Sequence, residues 1–290
     1  MREAASAAKP RFILNLQCAE TKGIVAKVSG FLAENDASIV ESSQFADGAT
    51  NQFFMRTVFE PFGHACPELE TLSSQFQCIA NTFDMIWSLR DARHRPRVLI
   101  AVSKIGHCLF DLLHRWRSGN LAMDVCGVVS NHDDMRSFVE WNGLPYYYLP
   151  QITKAGNEAA IVELLDSFKI ELFVLARYMQ ILSSEFCTAV SGRCINIHHS
   201  FLPSFKGAKP YHQAHERGVK IIGATAHYVT SDLDEGPIIE QGVQRVSHAD
   251  TPDKLVAIGR DIECAVLARA VAWHIERRIM LTGQKTIVFS

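Results

Sequence analysis

The chain has 290 residues, 48% hydrophobic and 21% charged, with a formal net charge of −2, a globular composition long enough for two domains. So even a charge leaves no electrostatic footprint for nucleic acid or an anionic membrane surface, and the longest apolar stretches fall well short of the about 20 residues that cross a bilayer. Eight cysteines without a Cys-x-x-Cys pair argue against a zinc knuckle or a thioredoxin-like site; with no signal-type apolar segment in residues 1–10, a cytoplasmic protein with free thiols is expected.

Residues 11–90 read as one unit. Phe12 to Cys18 is a β-run, followed by a loop ending at Gly23. Ile24, Val25, Val28, Phe31 and Leu32 recur at helical spacing to about Asn35. Two β-runs, Ser38–Phe45 and Gln52–Phe59, flank the turn signal Asp47-Gly48. Leu69, Leu72, Phe76 and Ile79 mark a second helix, and Phe83–Leu89 a fourth strand. The order βαββαβ predicts a ferredoxin-like sheet with both helices on one face.

Asp91 to Pro96 is a charged, Pro-terminated connector, which sets expected boundaries at 1–90, 91–96 and 97–290. Beyond it β-runs and helices alternate. The strands are Val98–Val102, Asp124–Val129, Tyr146–Leu149, Glu171–Ala176, Cys194–His198, Ile221–Val229 and Ile238–Val246. Helices are expected between most of them, including Asn157–Phe168 and a long last one near Pro252–Arg278. This alternation predicts an α/β domain, doubly wound around a mainly parallel sheet. Ligands of such sheets bind beyond the carboxyl ends of the strands.

Two strings carry chemistry. Asn196-Ile197-His198-His199-Ser200-Phe201-Leu202-Pro203-Ser204-Phe205-Lys206-Gly207 runs from an apolar strand into a loop, with Cys194, Asn196 and His198 on one side of that strand. His227-Tyr228-Val229-Thr230-Ser231-Asp232-Leu233-Asp234-Glu235-Gly236-Pro237 has the same form, a strand running into an acidic loop closed by Gly-Pro. Two such loops can place a carboxylate beside an imidazole. Taken singly, Asn196 reads as a loop cap, His198 as a hydrogen-bonded structural histidine and Asp234 as a turn residue. Another reading gathers His198, His199, His212, His215 and His227 around a metal, but such a site needs ligands with their own outer shell.

These two strings, in this order, resemble the folate-dependent formyltransferase superfamily, whose triad would fall on Asn196, His198 and Asp234. Leu175-Ala176-Arg177-Tyr178-Met179-Gln180-Ile181-Leu182 resembles its pterin-binding segment, with Met179 and Leu182 as wall residues beside Ile181, and with Gln180 where transformylases often have Arg. His199, Ser200 and His227, on the same two loops, are expected to support the site, and Lys206 and Gly207 to shape its loop or touch substrate. The amino-terminal unit resembles an ACT domain, through Cys18-Ala-Glu-Thr-Lys-Gly23-Ile24-Val25-Ala26 and its element order. Glu20-Thr21-Lys22-Gly23 departs from the more usual Asp-x-Pro-Gly of that family. ACT modules imply a homo-oligomer and a small amino-acid effector.

Three features point to the deformylase branch: the ACT-like unit ahead of the formyltransferase-like domain, Ser103-Lys104-Ile105-Gly106-His107-Cys108-Leu109 in place of a glycine-rich phosphate loop, and no further basic domain after the last helix. The expectation is hydrolysis of 10-formyltetrahydrofolate to tetrahydrofolate and formate. Folate would be the substrate, with no cofactor or metal required. Formyl transfer to an amine acceptor is the alternative, and a catalytically silent folate sensor a third reading. In the implied chemistry an uncharged amide (Asn196) meets the developing oxyanion, His198 acts as general acid or base or steadies the oxyanion, and Asp234 orients it or holds the attacking water.

Overall fold

A computed structural model describes residues 10–63, 65–150, 153–202 and 210–290. The chain divides into two compact units. The first runs to His94 and also takes Glu276–Met280 and Phe289–Ser290; the second comprises Arg95–Ile275 and Leu281–Val288.

The first unit is β1 (Phe12–Ala19), α1 (Ile24–Glu34), β2 (Ala37–Asp47), β3 (Gln52–Pro61), α2 (Leu69–Thr82) and β4 (Ile86–Asp91). Its antiparallel sheet has the order β2-β3-β1-β4, the ferredoxin-like arrangement. Every second residue of β1, from Phe12 through Leu14 and Leu16 to Cys18, packs against Val28 and Leu32 of α1 and Leu72 and Phe76 of α2. Burying each such side chain contributes about 1.5–3 kcal/mol before the cost of ordering it. Gly23, at φ 98°, turns the chain into α1 in a left-handed conformation that suits glycine.

Two local expectations shift. The Asp47-Gly48 turn is a longer loop in which Asp47 accepts from Ala49 N–H, and Asn51 rather than Gly48 takes the left-handed conformation. The last strand starts at Ile86, not Phe83, because α2 runs to Thr82 and Asp84 turns the chain at φ 51°. At the carboxyl end, residues expected in the second domain pack with the first unit. Asn15 donates to the Arg277 carbonyl at 2.7 Å, and buried Arg56 donates to the Glu276 carbonyl at 3.1 Å. Polar side chains on the sheet take main-chain acceptors from a distant segment because a buried guanidinium must be matched.

The second unit contains β5 (Arg97–Val102), α3 (His107–Arg117), β6 (Asp124–Ser130), α4 (Arg136–Trp141), β7 (Tyr146–Tyr148), α5 (Lys154–Ser167), β8 (Leu172–Leu175), α6 (Ser184–Ala189), β9 (Cys194–His198), α7 (Pro210–Glu216), β10 (Ile221–Tyr228), β11 (Ile238–Arg245) and α8 (Pro252–Ile275). A two-stranded pair, β12 (Ile279–Thr282) and β13 (Lys285–Val288), follows. Seven strands form one sheet in the order β11-β10-β9-β8-β5-β6-β7. It is parallel from β9 through β7, whereas β10 pairs antiparallel with both β9 and β11. Continuous apolar runs such as Val98–Val102 are buried on both faces, as a parallel sheet covered by helices requires. Among the described residues no helix is long and apolar enough to cross a membrane.

Candidate active site

The site forms where β9 ends and the loop after β10 turns back. Asn196 sits directly across from His227 in the β9–β10 ladder, and His198 across from Thr225. Directly opposed residues bring their side chains within reach, and Asn196 Nδ2 lies 3.2 Å from His227 Nε2. His227 Nδ1 is 2.9 Å from the Tyr228 carbonyl. A carbonyl can only accept, so His227 carries its hydrogen on Nδ1 and takes the Asn196 N–H on Nε2. Burial pushes the His227 pKa down, which keeps the ring neutral in this role.

A shift in the β10–β11 register between Ala226 and His227 falls beside these residues, and irregularities of this kind re-aim side chains at strand ends. The segment after His198 is held by Thr225. Its hydroxyl donates to the Ser200 carbonyl at 3.0 Å and accepts from Leu202 N–H at 3.1 Å.

The second loop delivers Asp234. Tyr228 N–H donates to the Pro237 carbonyl at 2.9 Å, so the chain returns on itself. A Cβ at Gly236 would lie 1.8 Å from the Tyr228 carbonyl oxygen, which restricts the position to glycine. Asp234 stands at φ 58°, a strained conformation for a residue with a side chain. Its Oδ1 lies 3.2 Å from His198 Nδ1 and 3.8 Å from His227 Nε2. Burial alone would raise the Asp234 pKa, but the bond from His198 and the neighbouring imidazoles outweigh it and hold the carboxyl below its usual range. The far nitrogen of His198, Nε2, is buried with no hydrogen-bond partner among the described residues. The result is a carboxylate–imidazole pair, with an amide on the same strand and one imidazole nitrogen uncommitted.

These groups line a cavity of about 310 Å³. Of the residues expected at the site, Asn196, His198, Asp234, Met179, Gln180, Ile181, Leu182 and His227 all lie on its wall. Met179 and Ile181 stand exposed at 57% and 66%, apolar side chains that a ligand would cover. Ser200 is buried and lines a smaller neighbouring cavity with His199 and Tyr211 instead. Lys206 and Gly207 lie outside the described residues.

The sequence reading missed several wall residues. Leu233 and the Thr230–Asp232 stretch belong to the acidic loop, where only Asp234 had been singled out. Arg177 also lines the cavity, at φ 65° and with its guanidinium largely buried. Its signal was a lone cation inside an apolar segment. Ser103 braces this segment: its N–H donates to the Arg177 carbonyl, and its hydroxyl accepts from Met179 N–H and donates to Asn131 Oδ1 at 2.7 Å. His199 sits between His198 and Tyr211. Burial, with Arg177 and His198 nearby, pushes its pKa down to about 4.

Residues 96–271 match the formyl transferase family. A formyltetrahydrofolate deformylase from Corynebacterium sp. (strain P-1) is 53% identical over 281 residues, covering 96% of this chain and 98% of its own length. That of Bacillus subtilis (strain 168) is 48% identical, covering 96% of this chain and 93% of its own. The crystal structure of formyltetrahydrofolate deformylase from Burkholderia mallei superposes with a TM-score of 0.91 at 50% identity, covering 97% of this chain and all of that one (100%). The family match over the β5–α8 sheet and the near full-length similarity to deformylases agree: the chain belongs to the formyl transferase family, in its formyltetrahydrofolate deformylase branch.

Proposed function

We propose that this chain hydrolyses 10-formyltetrahydrofolate to tetrahydrofolate and formate at the cavity walled by Asn196, His198 and Asp234. The observation that carries the reading is the His198–Asp234 contact of 3.2 Å in the wall of a cavity whose apolar part is formed by Leu175, Met179, Ile181, Leu182, Val229 and Leu233. The apolar groups suit a flat heterocycle, and the polar cluster suits the atom that reacts.

Water attacks the formyl carbon, and the carbonyl electron pair moves to oxygen. The Asn196 amide carries two hydrogens, so one can bond to His227 while the other meets the oxyanion. Collapse of the tetrahedral species breaks the bond to N10 and leaves formate. Of the two protons of the attacking water, one reaches N10 and the other is released to solvent as formic acid ionises to formate; His198 and Asp234 pass them and end the cycle as they began. The balance needs water alone, so no cofactor enters. The test is release of formate from 10-formyltetrahydrofolate by the purified chain in buffer without an amine. Turnover only when an amine acceptor is added would make the chain a transferase, and binding without turnover a folate sensor.

The ferredoxin-like unit is read as an ACT module that pairs subunits into a homo-oligomer and takes a small amino acid. A concentration-independent dimer or larger species in sedimentation, and a shift in formate release when amino acids are supplied singly, would support that part. Free thiols at all eight cysteines agree with a cytoplasmic setting.

A further inference from the structure

A buried polar cluster, reached from the cavity wall only through Arg177, sits where α3 begins beside the middle of α8. Glu263 on α8 is 1% exposed. Tyr211 OH donates to its Oε1 at 2.8 Å, His107 Nε2 lies 2.8 Å from its Oε2, and Arg177 Nε 3.5 Å from the same oxygen. A carboxylate surrounded by a phenol, an imidazole and a guanidinium is the acceptor at each oxygen, so His107 carries its hydrogen on Nε2. The other ring nitrogen, Nδ1, then presents a lone pair. It is buried and has no hydrogen-bond partner. An unmatched buried acceptor costs about 1–3 kcal/mol and calls for an explanation.

Two thiols stand beside it. One ring nitrogen of His107 and the Sγ atoms of Cys108 and Cys264 all lie within 4.8 Å of one another. We propose that His107, Cys108 and Cys264 form a binding site for a soft divalent cation of the zinc type, tying the start of α3 to α8. One imidazole nitrogen and two thiolates are the donor set such an ion selects over oxygen ligands. Bonds of about 2.0–2.3 Å put tetrahedral donors roughly 3.5–3.8 Å apart, so a small inward movement closes the site. Glu263 already occupies the outer position, accepting from the far nitrogen of the ligand histidine and fixing its tautomer and orientation. Binding releases two thiol protons, and two thiolates cancel the ion's charge, so no net charge is buried. Cys264 is partly exposed and offers the entry path, whereas Cys108 is fully buried.

None of the three ligands lines the catalytic cavity, so the ion serves as a clamp between helices and takes no part in hydrolysis. These donors are also different from the histidines that the sequence placed around a metal. Among the described residues, the one group of three or more metal-ligating side chains is His107, Cys108 and Cys264. Their meeting depends on a packing of α3 against α8 that no local spacing announces.

The test is a titration of the full chain, stripped with chelator and kept reduced, with Co²⁺ under anaerobic conditions. A near-ultraviolet thiolate-to-cobalt band should grow to a single equivalent and vanish when Zn²⁺ is added. Cys264→Ser and Cys264→Ala should abolish the band while keeping the far-ultraviolet circular dichroism and the rate of formate release. Glu263→Gln should weaken the ion by about 10–100-fold, as expected for an outer partner. Cys78→Ser, at an exposed thiol, should bind as the parent does. Absence of the band in the parent protein, or an undiminished band in either Cys264 variant, overturns the site.

Discussion

The two units each hold a buried cation or imidazole against a carboxylate, yet they use it differently. In the first unit Arg56, on β3 and only 3% exposed, is matched by Glu41 at 2.7 Å and by the Glu276 carbonyl. Arg278 reaches the same Glu41 oxygen at 3.2 Å. Both terminal nitrogens of Arg56 end on protein, while its Nε has no hydrogen-bond partner among the described residues, and the β2–β3 ladder shifts register beside Glu41. In the second unit His198 meets Asp234 at 3.2 Å, but its other nitrogen is uncommitted, and Asp234 is held in a strained backbone conformation. The first arrangement lines neither of the two cavities described above and stabilises. The second is open at the carboxyl end of a strand, facing a cavity, and that openness is what reactivity requires.

The largest effect should come from breaking the open pair. Asp234→Asn should lower the rate of formate release by about 10²–10⁴-fold with little change in Tm, because a neutral amide cannot polarise or deprotonate its partner. A rate within a few-fold of the parent would remove Asp234 from the chemistry. Asn196→Ala should follow, at about 10²–10³-fold in kcat, the usual loss for one oxyanion donor. A change in KM alone would assign the amide to binding instead.

Stability effects come next and separate the units. Gly236→Ala should cost upwards of roughly 2 kcal/mol, since the added carbon meets the Tyr228 carbonyl. The activity loss should exceed the stability loss, because the same loop carries Asp234. Arg56→Ala should cost about 2–4 kcal/mol, read as a lower Tm, and leave kcat near normal. The half-buried Arg136, which pairs with Asp133 and Glu140 and lies over the Tyr146 ring, is the contrast: its replacement by Ala should lower Tm by less than the Arg56 change does.

The pH dependence separates them again. His199 has its pKa pushed from 6.5 down to about 4, and His227 is shifted the same way. Both are neutral in the folded protein while the unfolded chain takes up protons below about pH 6.5. Their contribution to stability is therefore complete above that pH; that of His199 is lost as pH falls toward about 4, and that of His227 as pH falls through its own depressed value. Asp234, also depressed, adds its share above its unfolded value and loses it as pH falls through the folded one. Tm should drop between pH 7 and pH 4.5, and the drop should shrink in a His199→Gln variant. An unchanged drop would mean that His199 is not held neutral.

Much of both units was legible in the chain. Phe12, Leu14, Leu16 and Cys18 alternate as a half-buried strand must, and Leu72 and Phe76 recur as a core-facing helix must. Two strand-to-loop strings were legible, the family resemblance they carry implied Asn196, His198 and Asp234, and all three line one cavity. What was illegible depends on neighbours. Ser200 lies on the segment pinned by Thr225, which places it against a second, smaller cavity. Arg177 was hidden in an apolar stretch, and its left-handed backbone leaves no mark in residue type.

Periodicity, turn residues and composition by themselves determined the ferredoxin-like order, the alternating second unit and the residue types available for chemistry, because these depend on contacts a few positions apart. Only the tertiary structure decided that β10 and β11 run antiparallel beside β9, that His227 fixes the Asn196 amide, and that Glu263 meets His107 across 156 positions. Those pairings are chosen by which strands and helices bury each other's apolar surface, a choice made by the whole fold and not by any one segment.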